Sequence, residues 1–459
     1  MTNSAIADAH HRLAAYYART EVRERIVEFF GSPHDAAAGA AYGGKRMLHG
    51  PEDSPVARPC SDLASIMDEG ADVLRPMSDA RGVLLVLDVD LVQGTDAIVA
   101  RRPAASLLLL ASARAAAAEA FARHGIAPLV LLTAAGYRFL ARVPRGGRPY
   151  ERLRQAGGGD GWATTSCQLA AGGTDARVHR GAGRVVEMIA HEVVRAARIT
   201  GAPPVSLAAT PAGTGPFVRV DPTLYADEPA RRYLRCAFSS DQTALLARTG
   251  SAAEMTVVVP VTGDGHDAVE ARSDLSAAAD LARSASATVP DVSDDARFVD
   301  AYERSALAAF HAEMDHAPLA ADWARSPQGL FDTESAPPCA NAVLRYPSPR
   351  LLQPGHLRTV ALTLWSTGWH PRAIAALVRS RYEEPHDWGT HWQGHDAAHT
   401  AEYYVRLFCA SAALGLDDGR FRCETEARHG LCPAEGCGYD LGPLLRRLRS
   451  LRARYEEHA

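Results

Sequence analysis

The stretch that most constrains this chain is Val83-Leu84-Leu85-Val86-Leu87-Asp88-Val89-Asp90-Leu91. Five consecutive apolar residues read as a buried strand. The acids that follow are separated by one residue, and side chains alternate across a strand. Asp88 and Asp90 therefore leave the same face about 7 Å apart. Two carboxylates that close, at the end of an apolar strand, repel each other and resist desolvation unless a cation lies between them. The pair marks either a strand that has reached solvent or a site for a divalent ion, Mg²⁺ or Mn²⁺, handling phosphate.

With 459 residues the chain has room for two or three domains. A net charge of −5 carries no global basic excess, so any contact with nucleic acid has to come from a local patch. The longest apolar run, 104–120, is alanine-rich and interrupted by Ser106, Ser112 and Arg114, which predicts a buried helix rather than a membrane span. The N-terminus lacks a charged region followed by an apolar core, and the expectation is a cytoplasmic protein.

Apolar residues at helical spacing (Leu13, Tyr16, Tyr17, Val22, Ile26, Phe29 and Phe30) predict one or two helices within an N-terminal segment, 1–80. After the opening strand come a helix over 104–124 and a strand over 126–132. The turn Thr133-Ala134-Ala135-Gly136 then leads into a third strand marked by Phe139, Ala141 and Val143. A glycine-rich linker at 157–161 precedes a helix over 184–198. Strands follow at 217–221, 231–240 and 255–261, and helices at 268–285 and 296–316. Residues 317–338, rich in Pro, Ser and Asp, read as a linker between a domain over 81–316 and an all-helical domain over 339–459.

Two familiar motifs fail on inspection. Gly39 to Arg46 has the spacing of a phosphate loop, but Arg46 stands where a Ser or Thr must hold Mg²⁺, and no apolar strand feeds it. His191-Glu192-Val193-Val194-Arg195 misses the zinc-protease pattern because Arg195 takes the place of the second histidine. In the tail, Thr367-Gly368-Trp369-His370-Pro371 joins two helices. That outline fits a helix-turn-helix with Arg372, Arg379 and Arg381 facing phosphate, and equally an ordinary helical hairpin.

Asp88-x-Asp90, the turn at 133–138, and Asp221 followed by Arg235-Cys236-Ala237-Phe238-Ser239 occur in an order that resembles the archaeo-eukaryotic primase (primase-polymerase) superfamily. The resemblance implies an α+β fold: an RRM-like core of mixed or antiparallel sheet with flanking helices, followed by an all-α primase-C-terminal domain with a Cys-rich metal-binding loop. It implies a nucleotidyltransferase joining nucleotides to a nucleic acid strand, with Asp88, Asp90 and Asp221 as ligands of two Mg²⁺ or Mn²⁺ ions. Thr133, Arg138, Arg235 and Ser239 would line the nucleotide channel. Nucleic acid (DNA or RNA) and nucleoside triphosphates would be its partners, and any helicase would be a separate chain.

The chain departs from the family in one motif. Where the family has Ser-Gly-x-Gly-x-His, this sequence has Thr133-Ala134-Ala135-Gly136-Tyr137-Arg138. Arginine binds phosphate well through its planar fork of donors. The change also fits a primase-fold protein that has lost catalysis and kept nucleic-acid binding. A metal-dependent nuclease using the same acids is a third reading.

Cys423, Cys432 and Cys437 supply three thiols within fifteen residues, a pattern that points to zinc or an iron–sulfur cluster. From sequence the fourth ligand is Cys409 or His429. His391, His395 and His399 form a weaker candidate for a second site.

Overall fold

In the computed structural model the apolar run becomes the long central strand of an eight-stranded mixed sheet. The structure describes residues 11–31, 41–43, 56–58, 62–79, 81–93, 96–97, 103–158, 176–199, 203–208, 215–226, 233–240, 256–263, 265–316, 336–344, 351, 353–383, 397–416, 421–432 and 437–456. The strands are β1 (Ala41–Gly43), β2 (Val56–Arg58), β3 (Val73–Pro76), β4 (Ser78–Asp79), β5 (Gly82–Gln93), β6 (Asp96–Ala97), β7 (Leu129–Leu132), β8 (Gly136–Pro144), β9 (Val205–Leu207), β10 (Phe217–Asp221), β11 (Tyr233–Arg235) and β12 (Val259–Pro260). The main sheet runs β12-β7-β8-β5-β10-β9, with β4 and β6 pairing with β5. Its pairings are antiparallel except β9 with β10. A smaller sheet runs β11-β3-β1-β2.

The helices used below are α1 (Thr20–Phe30), α2 (Pro103–Arg123), α3 (Arg148–Ala156), α4 (Ala176–Ile199), α5 (Ala306–His316), α6 (Pro338–Leu344), α7 (Pro354–Ser366), α8 (Pro371–Glu383), α9 (Ala397–Ala413), α10 (Cys423–Arg428) and α11 (Gly442–Glu456). Helix α2 covers one face of the sheet. Phe121 stacks on Phe139 with ring centroids 5.7 Å apart, and Arg114 lies over the Tyr137 ring at 5.1 Å. Tyr137 and Phe139 point opposite to Arg138, so the acids of β5 emerge on the face away from α2. The helix is long and apolar enough to span a membrane by composition, yet its inner side is part of the protein core. It is not wholly buried as predicted: Leu108 is 78% exposed.

The predicted hairpin forms as β7 and β8. Thr133 Oγ1 accepts from the backbone N–H of Gly136 at 3.1 Å, and the buried Arg272 donates to the Thr133 carbonyl at 2.9 Å. Gly136 has to be glycine, because a Cβ there would lie 2.1 Å from the Val89 carbonyl oxygen. Where β10 ends, Tyr225 takes over: its hydroxyl accepts from Val86 N and donates to the Leu84 carbonyl.

Several expected elements are shorter or divided. The helix predicted over 268–285 is two, His266–Ala271 and Leu275–Ala282. Asp274 caps the second by accepting from Ser276 N and Ala277 N, which ends the first. The helix over 296–316 breaks likewise at Ser305, whose hydroxyl accepts from Ala308 N. The strand at 231–240 stops after Arg235, and Phe238 turns the chain with φ +63°. Helix α4 starts eight residues before the predicted position, running through Gly181. A Cβ at Gly181 would come within 2.0 Å of the Leu153 carbonyl, so that glycine lets α3 and α4 touch rather than breaking the helix. Helix α3, polar in sequence, was not anticipated.

The tail is helical, as expected, and packs on the sheet-bearing part through buried charge. Glu187 on α4 accepts from Arg406 on α9 at 3.2 and 3.3 Å, and Arg406 also donates to Glu402 at 2.8 Å. His311 on α5 lies 3.4 Å from Glu187, with its other ring nitrogen 2.8 Å from the Tyr302 hydroxyl. Burial would push the Glu187 carboxyl up, but Arg406 and His311 hold it down to about 2. Helix α9 also grips the turn that follows Asp221. Tyr403 donates to the Pro222 carbonyl and His399 to the Tyr225 carbonyl.

Candidate active site

Strand register brings all three predicted acids together. Asp88 lies opposite Arg138 of β8 on one side and Asp221 of β10 on the other, while Asp90 lies between Gly136 and Arg219. Directly opposed residues share a face, so two short rows form: Arg138–Asp88–Asp221, and one pleat along, Gly136–Asp90–Arg219.

Each acid is matched to an arginine. Arg138 grips Asp88 through two bonds, Nε to Oδ1 and Nη2 to Oδ2, both 2.7 Å. Arg219 donates from Nη2 to Asp90 at 2.7 Å, and its Nε lies 3.3 Å from Asp221 Oδ2. The second Asp221 oxygen accepts from Thr223 N at 2.9 Å. Arg138 was expected to contact nucleotide; here its fork is turned onto a carboxylate. Arg219 was passed over in the sequence as an ordinary strand residue. Its position two before Asp221, on the same face of a strand, was the available signal.

Three carboxylates against two guanidinium groups leave one negative charge in excess when all are ionised. Asp90 bears it: burial pushes its carboxyl up, Arg219 pulls it back, and Asp88 and Asp221 raise it again, leaving it at about 6. Arg219 is held above its ordinary value; burial works against this, and Asp221 and Asp90 outweigh burial. The arrangement does not fit a pair of divalent ions as it stands. Both Asp88 oxygens are engaged, and a cation already bridges Asp90 and Asp221. Among the described residues, no set of three or more His, Cys, Asp or Glu side chains is gathered to hold a metal.

The other predicted channel residues lie elsewhere or serve the backbone. Thr133 caps the β7–β8 turn. Arg235 sits on the small sheet with its Nε 3.6 Å from Asp72. Ser239 is fully buried and accepts from Val73 N at 2.7 Å. In the tail, Arg372 is buried and donates to the Asp315 carbonyl, Arg381 is buried, and Arg379 is paired with Glu383. Arg372 and Arg381 are thus packed into the helical hairpin of α7 and α8, and Arg379 lies on its surface.

The thiols of Cys423 and Cys437 both point at the Tyr439 carbonyl, at 3.5 and 4.0 Å, and Cys432 Sγ lies 3.9 Å from the Cys423 carbonyl. Burial raises the Cys432 thiol, and Cys437 and Cys423 add to it. Cys409 is buried within α9, raised by burial alone, and His429 has its Nδ1 3.8 Å from Glu426. Cys339 on α6 is also raised: burial, then Glu426 and Cys432, push its thiol up to about 12. His391 and His395 lie outside the described residues, and His399 is committed to the Tyr225 carbonyl.

Comparison of the chain with protein-family models, curated proteins and solved structures returned no match.

Proposed function

We propose that this chain is a primase-fold nucleic-acid-binding protein whose carboxylate triad is held from within by two arginines in place of metal ions, with one negative charge left over. The observation that supports this is the pairing of Arg138 with Asp88 and of Arg219 with Asp90 and Asp221. The order of motifs that resembles the primase superfamily supplies the nucleic-acid part of the reading, and the Arg138 departure accounts for the lost metal grip. The three acids keep a structural use, since each strand of the β8-β5-β10 group contributes to one cross-linked layer of charge.

In the same reading the tail carries a structural metal. Cys423, Cys432 and Cys437 would supply its thiolates, a donor type suited to zinc or an iron–sulfur cluster, and binding would have to draw them together, since they are not gathered in this structure.

A second reading is nucleotidyl transfer, favoured by one observation: Asp90, raised to about 6, marks an excess of negative charge that a further cation would relieve. Primer extension with Mg²⁺ or Mn²⁺, run beside a nucleic-acid binding assay on one preparation, separates the two. The expected result is binding without nucleotide incorporation. Incorporation that disappears in Asp88→Ala would overturn the proposal in favour of the enzyme.

A further inference from the structure

The whole chain is net negative at −5, yet its last described helix is strongly positive. Helix α11 carries Arg446, Arg447, Arg449, Arg452 and Arg454, and all five are exposed. No acid occurs on the helix before Glu456. Among the described residues, no carboxylate lies within ion-pair distance of Arg446, Arg447, Arg449 or Arg454. Arg452 lies against the backbone at Gly415.

The helix is anchored, not trailing. Leu444, Leu448 and Tyr455 are buried along its inner side, Tyr455 packs edge-on against Phe310 at 5.5 Å, and its hydroxyl bonds Glu313 at 2.6 Å. Its opposite side is therefore held as a fixed surface. Arg446 and Arg449, three apart, make one ridge, while Arg447 and Arg454, seven apart, make a second; Arg452 is turned onto Gly415. From Arg446 to Arg454 the axis rises about 12 Å, enough to face roughly three phosphates of one strand. Arginine in place of lysine carries no weight here, because Lys45 is the chain's one lysine. The segregation of charge and its rigid mounting do carry weight.

We infer that the outward face of α11 is a docking surface for the phosphodiester backbone of a nucleic acid. The inference rests on the nucleic-acid reading above and adds the surface that does the binding. A lipid headgroup layer suits this face less well: a membrane-surface helix needs large apolar residues to insert, and the other exposed residues up to Tyr455 are Pro443, Ser450 and Ala453. Backbone contacts of this kind position a strand without reading its sequence.

The test compares the full chain with R446Q/R447Q/R449Q/R454Q, which leaves Arg452 on Gly415. Fluorescence anisotropy with a labelled 20-nucleotide single strand, its DNA duplex and the matching RNA is read at several salt concentrations. Thermal melting checks that the variant is folded. The wild type is expected to bind with a steep salt dependence. The variant should melt within about 2 °C of it, bind at least about tenfold more weakly at 0.15 M salt, and lose about 3 from the log–log salt slope. A folded variant with unchanged affinity and slope would overturn the α11 surface while leaving the nucleic-acid reading standing. Absence of binding by the wild type to all three nucleic acids would overturn both. Equal, arginine-dependent binding to vesicles of anionic phospholipid would overturn the choice of partner.

Discussion

Arg138→Ala tests whether an arginine stands in for a metal ion. Arg138 and Asp88 are joined by two bonds of 2.7 Å, with side chains only 14% and 15% exposed. Charges about 4 Å apart in surroundings of effective dielectric near 20 attract by about 4 kcal/mol. Lost hydration takes back part of that, leaving roughly 2–3 kcal/mol that any ion seeking Asp88 must overcome. Removing the arginine removes that barrier, and at 1.4 kcal/mol per decade the Mn²⁺ affinity should rise about 30- to 100-fold. Arg138→His, with a smaller and less charged side chain, should move it in the same direction by less. Loss of the free-Mn²⁺ signal in electron paramagnetic resonance titrations gives Kd directly, and a Mn²⁺-dependent rise in Tm gives it independently. Equal Kd values for wild type and Arg138→Ala, or a micromolar Kd in the wild type, would refute the reasoning, because the pair would then be no obstacle.

Protonation of Asp90 sets a second expectation. Its carboxyl titrates at about 6 when folded, against roughly 4 unfolded, so its charge costs stability fully above pH 6, and that cost fades as pH falls through 4. His191 and His311 act oppositely: burial lowers both to about 4, so their contribution is whole above about pH 6.5 and is lost as pH falls towards 4. Asp90→Asn should gain on the order of 1–2 kcal/mol at pH 7, with Arg219 still held by Asp221, and should lose stability more steeply than wild type from pH 6 to 4. An equal or shallower acid slope in urea melts would count against the assignment. Arg406→Met strands Glu187 and Glu402 in the core and should cost about 3–5 kcal/mol in chemical denaturation. A loss below about 1 kcal/mol would mean the network is slack.

Much of the sheet was legible because its signals are local. A continuous apolar run, a glycine turn and the alternation of Phe139, Ala141 and Val143 fix β5, β7 and β8, and β10 appears at its predicted bounds. The acids were legible for the same reason: Asp88-x-Asp90 states its own geometry. What they face was not. Arg138 and Arg219 reach the acids only through strand register, which depends on pairing partners far along the chain. Helix breaks at Asp274 and Ser305 were missed because a capping side chain competes with a periodic apolar pattern that continues past it.

The Glu187–Arg406–Glu402 contact has a consequence for how the two parts of the chain can exist. Glu187 on one side and Arg406 on the other are both buried, at 0% and 2% side-chain exposure, and each satisfies charge the other's part cannot fully pair alone. A protein severed between residues 316 and 336 would leave Glu187 with only His311 on one fragment and Arg406 with only Glu402 on the other. The Glu187–Arg406 pair is thus the charged link that ties the sheet-bearing part to the helical tail.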